Sequence, residues 1–212
     1  MAGLGDVAID RDSTLAWMTA FAGEMSEHRQ ELVRLDTAIG DGDHGTNMNR
    51  GMQKALEKLQ AAEPADAGAV LKTAAMTLIS TVGGAAGPLY GTLFLQLGNA
   101  LAGESEVDLA GFSAAWRKGL EGVQSRGKAE LGDKTMVDAL SPAVEALEQA
   151  ADLDGGLSAA VSAAEQGMHA TTPLLARKGR ASYLGDRSVD HQDPGATSTY
   201  YLFKSAAKAL TD

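Results

Sequence analysis

The feature that most limits the possible folds is a helical repeat of apolar residues that returns along almost the whole chain. In its first stretch Leu15, Met18, Phe21 and Met25 lie three or four positions apart, which places their side chains on one face of an α-helix. The same spacing returns in seven further stretches, which begin near positions 48, 71, 89, 109, 136, 157 and 203. No segment alternates apolar and polar residues as a half-buried strand would. The sequence therefore predicts an all-α fold of eight helices, the first of which continues to Leu35.

The connections between these stretches predict how the helices are arranged. Short connections such as 61–66 and 103–107 favour antiparallel neighbours. A chain of 212 residues without repeats or a low-complexity linker is well matched to one domain, so residues 1–212 are taken as a single helical domain.

Four connections are unusually rich in glycine, namely 36–47, 83–87, 125–135 and 177–195, and all but 83–87 are also rich in charged residues. Counted along the helices, they are the first, third, fifth and seventh connections. In an up-and-down bundle alternate connections lie at the same end. The sequence therefore predicts that one end of the bundle carries a composite site and that the other end is plain.

Composition excludes several classes of function. The net charge of −10, from 28 acidic and 18 basic residues, argues against a nucleic-acid binder, since a phosphate backbone requires a basic surface. No apolar run is long enough to cross a membrane, and the N-terminus does not have the pattern of a signal peptide. The absence of cysteine excludes disulfides and thiolate metal sites. We expect a cytoplasmic protein that does not bind nucleic acid or membrane. The negative charge of the protein does not exclude a small phosphorylated ligand, because acidic residues can hold a metal ion that binds the phosphate.

Three aspartates in the first of these connections are candidate metal ligands. Asp36, Asp41 and Asp43 follow a D-x4-D-x-D spacing, and carboxylates that converge from a turn are typical ligands of hard divalent cations. An EF-hand loop counted from Asp41 would need glutamate at its twelfth position, where the chain has Met52. The alternative of equal weight is a solvated acidic turn, in which Asp43 helps the following helix to begin.

Two apparent nucleotide-binding motifs do not meet their structural requirements. Gly40, Gly42 and Gly45 match G-x-G-x-x-G, but no strand precedes them and the intervening aspartates would repel a pyrophosphate unless a metal ion lay between. Residues 122–128, GVQSRGK, imitate a Walker loop, but Ala129 stands where that motif needs a hydroxyl.

Three further features fit an anionic ligand, although each has an alternative. The segment 83–88, GGAAGP, runs into a helix, so it is either an anion site at a helix N-terminus or a tight turn between helices. His44 is either a donor to phosphate or a polar capping group. The last long connection carries four cations, which either face solvent or complement the charge of a phosphoryl group under a lid: Arg177, Lys178, Arg180 and Arg187.

Four motifs in order closely resemble the L subunit family of dihydroxyacetone kinases: LDTAIGDGDHGTNMNRG, VGGAAGPLYGT, SRGKAELGDKTM and KGRASYLGDRSVDHQDPGATS. The resemblance covers nearly the whole chain. It implies a barrel of eight antiparallel amphipathic helices with the nucleotide at one end. It also implies that Asp36, Asp41 and Asp43 coordinate two Mg²⁺ ions on the diphosphate of ADP.

The same resemblance implies which other residues contact the nucleotide. Arg180 is the residue that we expect to act in catalysis, by complementing the charge on the transferred phosphoryl group. The positions carried over from the family are His44, Gly45, Thr46, Asn47, Ala85, Ala86, Gly127, Met136, Arg180, Asp193, Pro194 and Gly195. At Ala86 the family often has serine, so we expect weaker phosphate binding at that point.

The resemblance also implies partners and a reaction. Bound ADP would act as a cofactor that is charged to ATP by a phosphohistidine on the phosphotransferase-system M subunit. The phosphoryl group would then pass to dihydroxyacetone held on the K subunit. Two alternatives stay open: an ATP-dependent kinase subunit for another small ketose, and a nucleotide-loaded regulatory module that binds a partner such as a transcription regulator.

Overall fold

The computed structural model describes residues 9–211, which form nine α-helices and one 3₁₀ segment. The helices are α1 (Arg11–Glu27), α2 (Arg29–Ile39), α3 (His44–Ala62), α4 (Ala67–Thr81), α5 (Ala86–Ala100), α6 (Leu109–Gly127), α7 (Val137–Glu148), α8 (Leu153–Ala170) and α9 (Pro194–Leu210). The 3₁₀ segment, Arg180–Ser188, lies between α8 and α9. The only strand-like pairing in this range is an isolated bridge between Ile9 and Val107. The predicted all-α fold is therefore confirmed.

One helix of the prediction is divided in the structure. The stretch expected to run from Leu15 to Leu35 breaks at His28, which ends α1 and begins α2. The His28 N–H still donates to the Glu24 carbonyl, and the Leu32 N–H donates to the His28 carbonyl. Because these helical hydrogen bonds persist on both sides, the apolar spacing crosses the break without interruption.

Consecutive helices from α3 to α9 pack against one another, and α9 returns to pack against α1, which closes the bundle. The buried core combines many aliphatic side chains with a cluster of aromatic ones. The Trp17 ring meets Phe94 and Phe112 edge-on at centroid distances of 6.1 and 6.2 Å, and Trp116 stacks on Phe203 at 4.4 Å. All five side chains are fully buried. Aromatic pairs of this kind stabilise the core beyond the area that they bury.

The two ends of the bundle differ as the sequence predicted. At the plain end α4, α6 and α8 begin with the aspartate caps Asp66, Asp108 and Asp152, each of which accepts a backbone N–H at 2.7 to 2.8 Å. Such caps satisfy N–H groups that the first helical turn leaves free. At the opposite end the two longest connections, 128–136 and 171–193, join α6 to α7 and α8 to α9. None of the helices in the described part of the chain is long and apolar enough to span a lipid bilayer.

Candidate functional site

The four glycine-rich connections surround one cavity of about 480 Å³. It is lined by the turn between α2 and α3, the turn before α5, the α6–α7 loop (residues 128–136) and the basic loop (residues 177–193). The gathering of these segments at one end was predicted from their alternation along the helices. A volume of this size accommodates a small-molecule ligand.

Most of the predicted site residues line this cavity. They are Asp36, Asp41, Asp43, His44, Ala85, Ala86, Gly127, Met136, Arg180, Asp193, Pro194 and Gly195. The other three predicted positions, in the first turn of α3, do not belong to its described wall. Gly45 is buried against α2, Thr46 is exposed, and the side-chain oxygen of Asn47 accepts a hydrogen bond from Arg50 at 2.8 Å.

The acidic cluster, Asp36, Asp41 and Asp43, could hold a divalent cation. Each residue offers one carboxylate oxygen, and the three oxygens lie within 4.8 Å of one another. Asp36 comes from the last turn of α2 and is buried, whereas Asp41 and Asp43 are exposed. A set of oxygen ligands with room for water is what Mg²⁺ prefers.

Asp36 also fixes the turn that brings the other two aspartates to it. Its Oδ2 accepts hydrogen bonds from the backbone N–H groups of Asp43 at 2.8 Å and His44 at 3.0 Å. Gly42 adopts a positive φ of 75°, which a side chain would disfavour, and so lets the chain reverse there. Asp43 occupies the N-cap position of α3, but its side chain makes no capping hydrogen bond with described residues. The start of α3 is therefore held by Asp36.

The N-terminus of α5 forms another wall of the cavity. Gly83, Gly84, Ala85 and Ala86 line it, and no side chain of the described residues caps the helix. The first backbone N–H groups of a helix lack intrahelical partners, and the positive end of the helix dipole attracts anions. Because the acidic cluster and the N-terminus of α5 line one cavity, the arrangement fits a phosphate held between carboxylate-bound metal and helix.

The basic loop reaches the acidic cluster through Arg180. An Nη of Arg180 lies 2.9 Å from Oδ2 of Asp41, and both side chains are largely exposed. From the sequence, Asp41 is expected to bind metal and Arg180 to complement the charge of the phosphoryl group in the same site. The structure shows that they are in direct contact.

His44 joins three helices at the base of the cavity. Its Nε2 is 2.9 Å from the Ser198 hydroxyl, which in turn lies 2.7 Å from the Tyr90 hydroxyl. Burial lowers the pKa of His44, although Asp36 and Asp43 oppose the shift, and burial raises the pKa of Tyr90 to about 12. Both groups are therefore neutral at pH 7 and serve as hydrogen-bonding groups.

Two buried charged residues lie on the same wall. The Asp193 carboxylate caps α9 by accepting the Ala196 N–H at 2.7 Å, and burial raises its pKa to about 7. The ammonium of Lys134, 1% exposed, donates to backbone carbonyls. Asp193 is among the site residues expected from the sequence, whereas Lys134 and Tyr90 are not. Lys134 lies in the SRGKAELGDKTM motif and Tyr90 in the VGGAAGPLYGT motif. A single lysine in a polar loop gives no indication that it is buried. Tyr90 fits the apolar face of a helix, so the sequence does not mark it as a site residue.

Comparison with known proteins decides which family these motifs represent. Residues 38–208 match the model of the DAK2 domain. The chain belongs to the DAK2 family. The resemblance drawn from the four motifs is thereby confirmed.

Two relatives match almost the full chain. One is the PEP-dependent dihydroxyacetone kinase, ADP-binding subunit DhaL, of Escherichia coli, 45% identical over 210 residues that cover 97% of this chain and 100% of the relative. The other is the corresponding subunit DhaL of kinase 1 from Listeria innocua, 46% identical over 194 residues that cover 92% of this chain and 94% of the relative.

A solved structure shows the same fold. The dihydroxyacetone kinase of C. freundii in complex with AMP-PNP and Mg²⁺ superposes with a TM-score of 0.71 at 23% identity, covering 98% of this chain and 36% of that chain. At this identity the likeness concerns the fold of the DAK2 domain.

Proposed function

We propose that this chain is the ADP-binding subunit of a multi-subunit dihydroxyacetone kinase of the cytoplasm. It would receive a phosphoryl group from a phosphohistidine of an M-type subunit and pass it to dihydroxyacetone held on a K-type subunit. The observation that carries the proposal is the acidic cluster beside the uncapped N-terminus of α5 in one cavity. The names of the full-length relatives support the choice of nucleotide and of substrate.

The residues of the cavity fit magnesium and nucleotide by the chemistry of their donors. Asp36, Asp41 and Asp43 would hold two Mg²⁺ ions, and the backbone at Ala85 and Ala86 would donate to phosphate oxygens. When bound, ADP supplies the terminal phosphate oxygen that accepts the phosphoryl group, and Mg²⁺ neutralises its charge.

The protein's own contribution is positioning and charge. Asp36 is fixed by two backbone N–H groups, so the acidic cluster needs little rearrangement to bind a cation. Arg180 stands beside the cluster on a loop that lines the cavity, where its charge would stabilise the transferred phosphoryl group. Phosphoryl transfer of this kind needs no general base from the chain.

The partners follow from the size of this domain and its relatives' names. One cavity that holds a nucleotide leaves the ketose and the phosphohistidine to other proteins. We therefore expect the exposed basic loop to face the K-type and M-type subunits in turn. A transcription regulator is a further partner to test.

Two other functions use the same cavity. An ATP-dependent kinase subunit for another small ketose would exchange its bound nucleotide freely with labelled ATP. A nucleotide-loaded regulatory module would bind a partner stably without turnover in a complete kinase mixture. In contrast, the proposed carrier retains its nucleotide through the transfer cycle.

The experiment that tests the proposal uses the purified chain with its bound nucleotide. Incubation with phosphorylated M-type protein should convert bound ADP to bound ATP in the presence of Mg²⁺. Addition of K-type subunit and dihydroxyacetone should then return it to ADP. Absence of conversion, with nucleotide present on the chain, would contradict the proposal.

A further inference from the structure

Lys134 is a buried cation to which the proposed reaction assigns no task. Its side chain is 1% exposed, although it belongs to the α6–α7 loop on the wall of the cavity. A lysine is rarely buried unless its ammonium is fully hydrogen-bonded. Nζ donates to the backbone carbonyls of Thr171 at 2.9 Å, Thr172 at 3.2 Å and Leu174 at 3.1 Å.

These three carbonyls lie directly after the end of α8 at Ala170. Carbonyls at the C-cap and just beyond it are outside the hydrogen bonding of the helix, and the negative end of the helix dipole attracts cations there. An ammonium group has three N–H donors, and here each has an acceptor. Lys134 therefore clamps the segment that leads from α8 into the basic loop.

The backbone around Lys134 is held as firmly as its side chain. Lys134 has a positive φ of 64°, a conformation that non-glycine residues adopt only when their surroundings impose it. The buried carboxylate of Asp138 accepts the N–H groups of Gly132 at 2.6 Å and Thr135 at 2.7 Å, on either side of the lysine. The α6–α7 loop thus presents the lysine in a fixed place.

Both ends of the basic loop form hydrogen bonds with the α6–α7 loop or with the segment that follows α8. The Arg177 N–H donates to the Asp133 carbonyl at 3.1 Å, and the Asp190 N–H donates to the Thr172 carbonyl at 2.9 Å. The Asp193 N–H donates to the Thr171 hydroxyl at 3.0 Å. Arg180 follows Arg177 by three positions, so its place in the cavity depends on where the loop is anchored.

The charges around the lysine suit a permanent cation. Burial lowers the pKa of Lys134, and Asp193, Asp190 and Asp138 oppose that shift. Asp190 and Asp193 belong to the basic loop, and Asp138 lies in the first turn of α7, directly after the α6–α7 loop. A neutral side chain in its place would leave carbonyls and carboxylates without their cation.

We propose that Lys134 is a positioning residue that fixes the basic loop to the α6–α7 loop and thereby places Arg180 at the cavity. Its role in transfer rests on the proposed function. The anchoring itself is a property of the fold, which a measurement without turnover can test.

The first test is amide hydrogen exchange on the full chain, comparing Lys134→Met with Lys128→Met. Lys128 lies in the same loop, is exposed and also has a positive φ, of 53°. Both variants therefore place methionine at a positive φ, so the effect of that backbone conformation is matched. In Lys134→Met we expect exchange at Arg177, Asp190 and Asp193 to accelerate by about tenfold or more, with α1 and α5 unchanged. Unchanged exchange at these three amides would overturn the proposal.

The second test asks whether Lys134 acts through Arg180. In the conversion of bound ADP to ATP, Lys134→Met should slow transfer by about tenfold, yet add little when Arg180→Ala is already present. Additive losses would overturn the proposal. If wild-type chain shows no conversion at all, the proposed function fails, and the exchange result still decides whether the clamp exists.

Should Lys134→Met fail to fold, Lys134→Arg keeps the charge and several donors. It should retain protection at the three amides together with most of the transfer rate. A Lys134→Arg chain with native protection but a tenfold or greater loss of transfer would show that the lysine does not act by positioning the loop.

Discussion

The guanidinium of Arg180 lies 2.9 Å from the carboxylate of Asp41, so a cation of the basic loop pairs with a member of the acidic cluster. Both side chains are largely exposed, at 64% and 37%. Exposed ion pairs of this kind contribute about 1 kcal/mol or less, because water and salt screen them. Arg180 can therefore exchange Asp41 for an anionic ligand at little cost in free energy.

Replacement of Arg180 separates binding from transfer. If Arg180 stabilises the transferred phosphoryl group, Arg180→Ala should slow the conversion of bound ADP to ATP by roughly a hundredfold but weaken nucleotide retention much less. Single-turnover kinetics and a nucleotide release assay measure the two effects. Lys118→Ala, which removes an exposed cation of α6 that does not line the cavity, is the control and should change neither. Equal losses of transfer and retention would make Arg180 a plain binding residue.

Restoring a hydroxyl at the start of α5 should strengthen phosphate binding. Ala86 lines the cavity in the first turn of that helix. One additional hydrogen bond is worth about 1 kcal/mol, so Ala86→Ser should lower the Kd for Mg–ADP roughly fivefold. Calorimetry of nucleotide-free chain measures the change. An unaltered or raised Kd would show that the side chain at this position does not face the phosphates.

The close packing of α3 against α2 requires glycine at position 45. A Cβ there would lie 2.2 Å from the Arg29 carbonyl oxygen and 2.9 Å from the Leu32 Cβ, so Gly45→Ala should push α3 away from α2. We expect a loss of about 1–3 kcal/mol in the free energy of unfolding and weaker metal binding, since α2 and α3 flank the acidic cluster. In Gly23→Ala, where the Cβ meets nothing within 4 Å, stability should hold or rise. Chemical denaturation compares the two, and equal stabilities would refute the close contact.

The buried carboxyl of Asp193 should make stability depend on pH. Burial raises its pKa from 3.8 to about 7, so the folded chain holds a proton that the unfolded chain releases between these values. The free energy of unfolding should therefore fall as pH rises from about 4 to 7, and the contribution of Asp193 to this fall is up to about 4 kcal/mol. Asp193→Asn keeps an acceptor for the Ala196 N–H but should lose that slope. Denaturant titrations of nucleotide-free chain across the pH range measure it, and parallel profiles for the two chains would contradict the assignment.

The sequence predicts the fold well where the apolar period is strong. The stripes of α3 to α9 lie in the helices expected for them. The division at His28 escapes prediction because the ring of that residue stacks on Tyr201 of α9 at 4.0 Å. A contact between segments so distant in sequence leaves no mark on the local spacing.

The location of the site and its acidic residues can be predicted from the sequence. The buried residues that hold the surrounding loops and helices in place cannot. The acidic cluster and the basic loop follow from composition and from the alternation of connections. The clamp by Lys134 and the chain from His44 through Ser198 to Tyr90 depend on burial, which a polar loop or an apolar stripe does not reveal. The absence of Thr46 from the described wall of the cavity likewise follows from the direction of one helical turn.

The most direct test of the site is the mass of what the purified chain carries, measured by native mass spectrometry with and without a metal chelator. Wild-type chain should retain ADP with magnesium and lose both to the chelator. Asp41→Asn should retain at least about tenfold less nucleotide at unchanged helical content, since a metal ligand is lost. Asp108→Asn, at the plain end, should behave as wild type because asparagine caps helices equally well. Nucleotide retained equally by Asp41→Asn, or retained in the chelator, would contradict the metal-held nucleotide site.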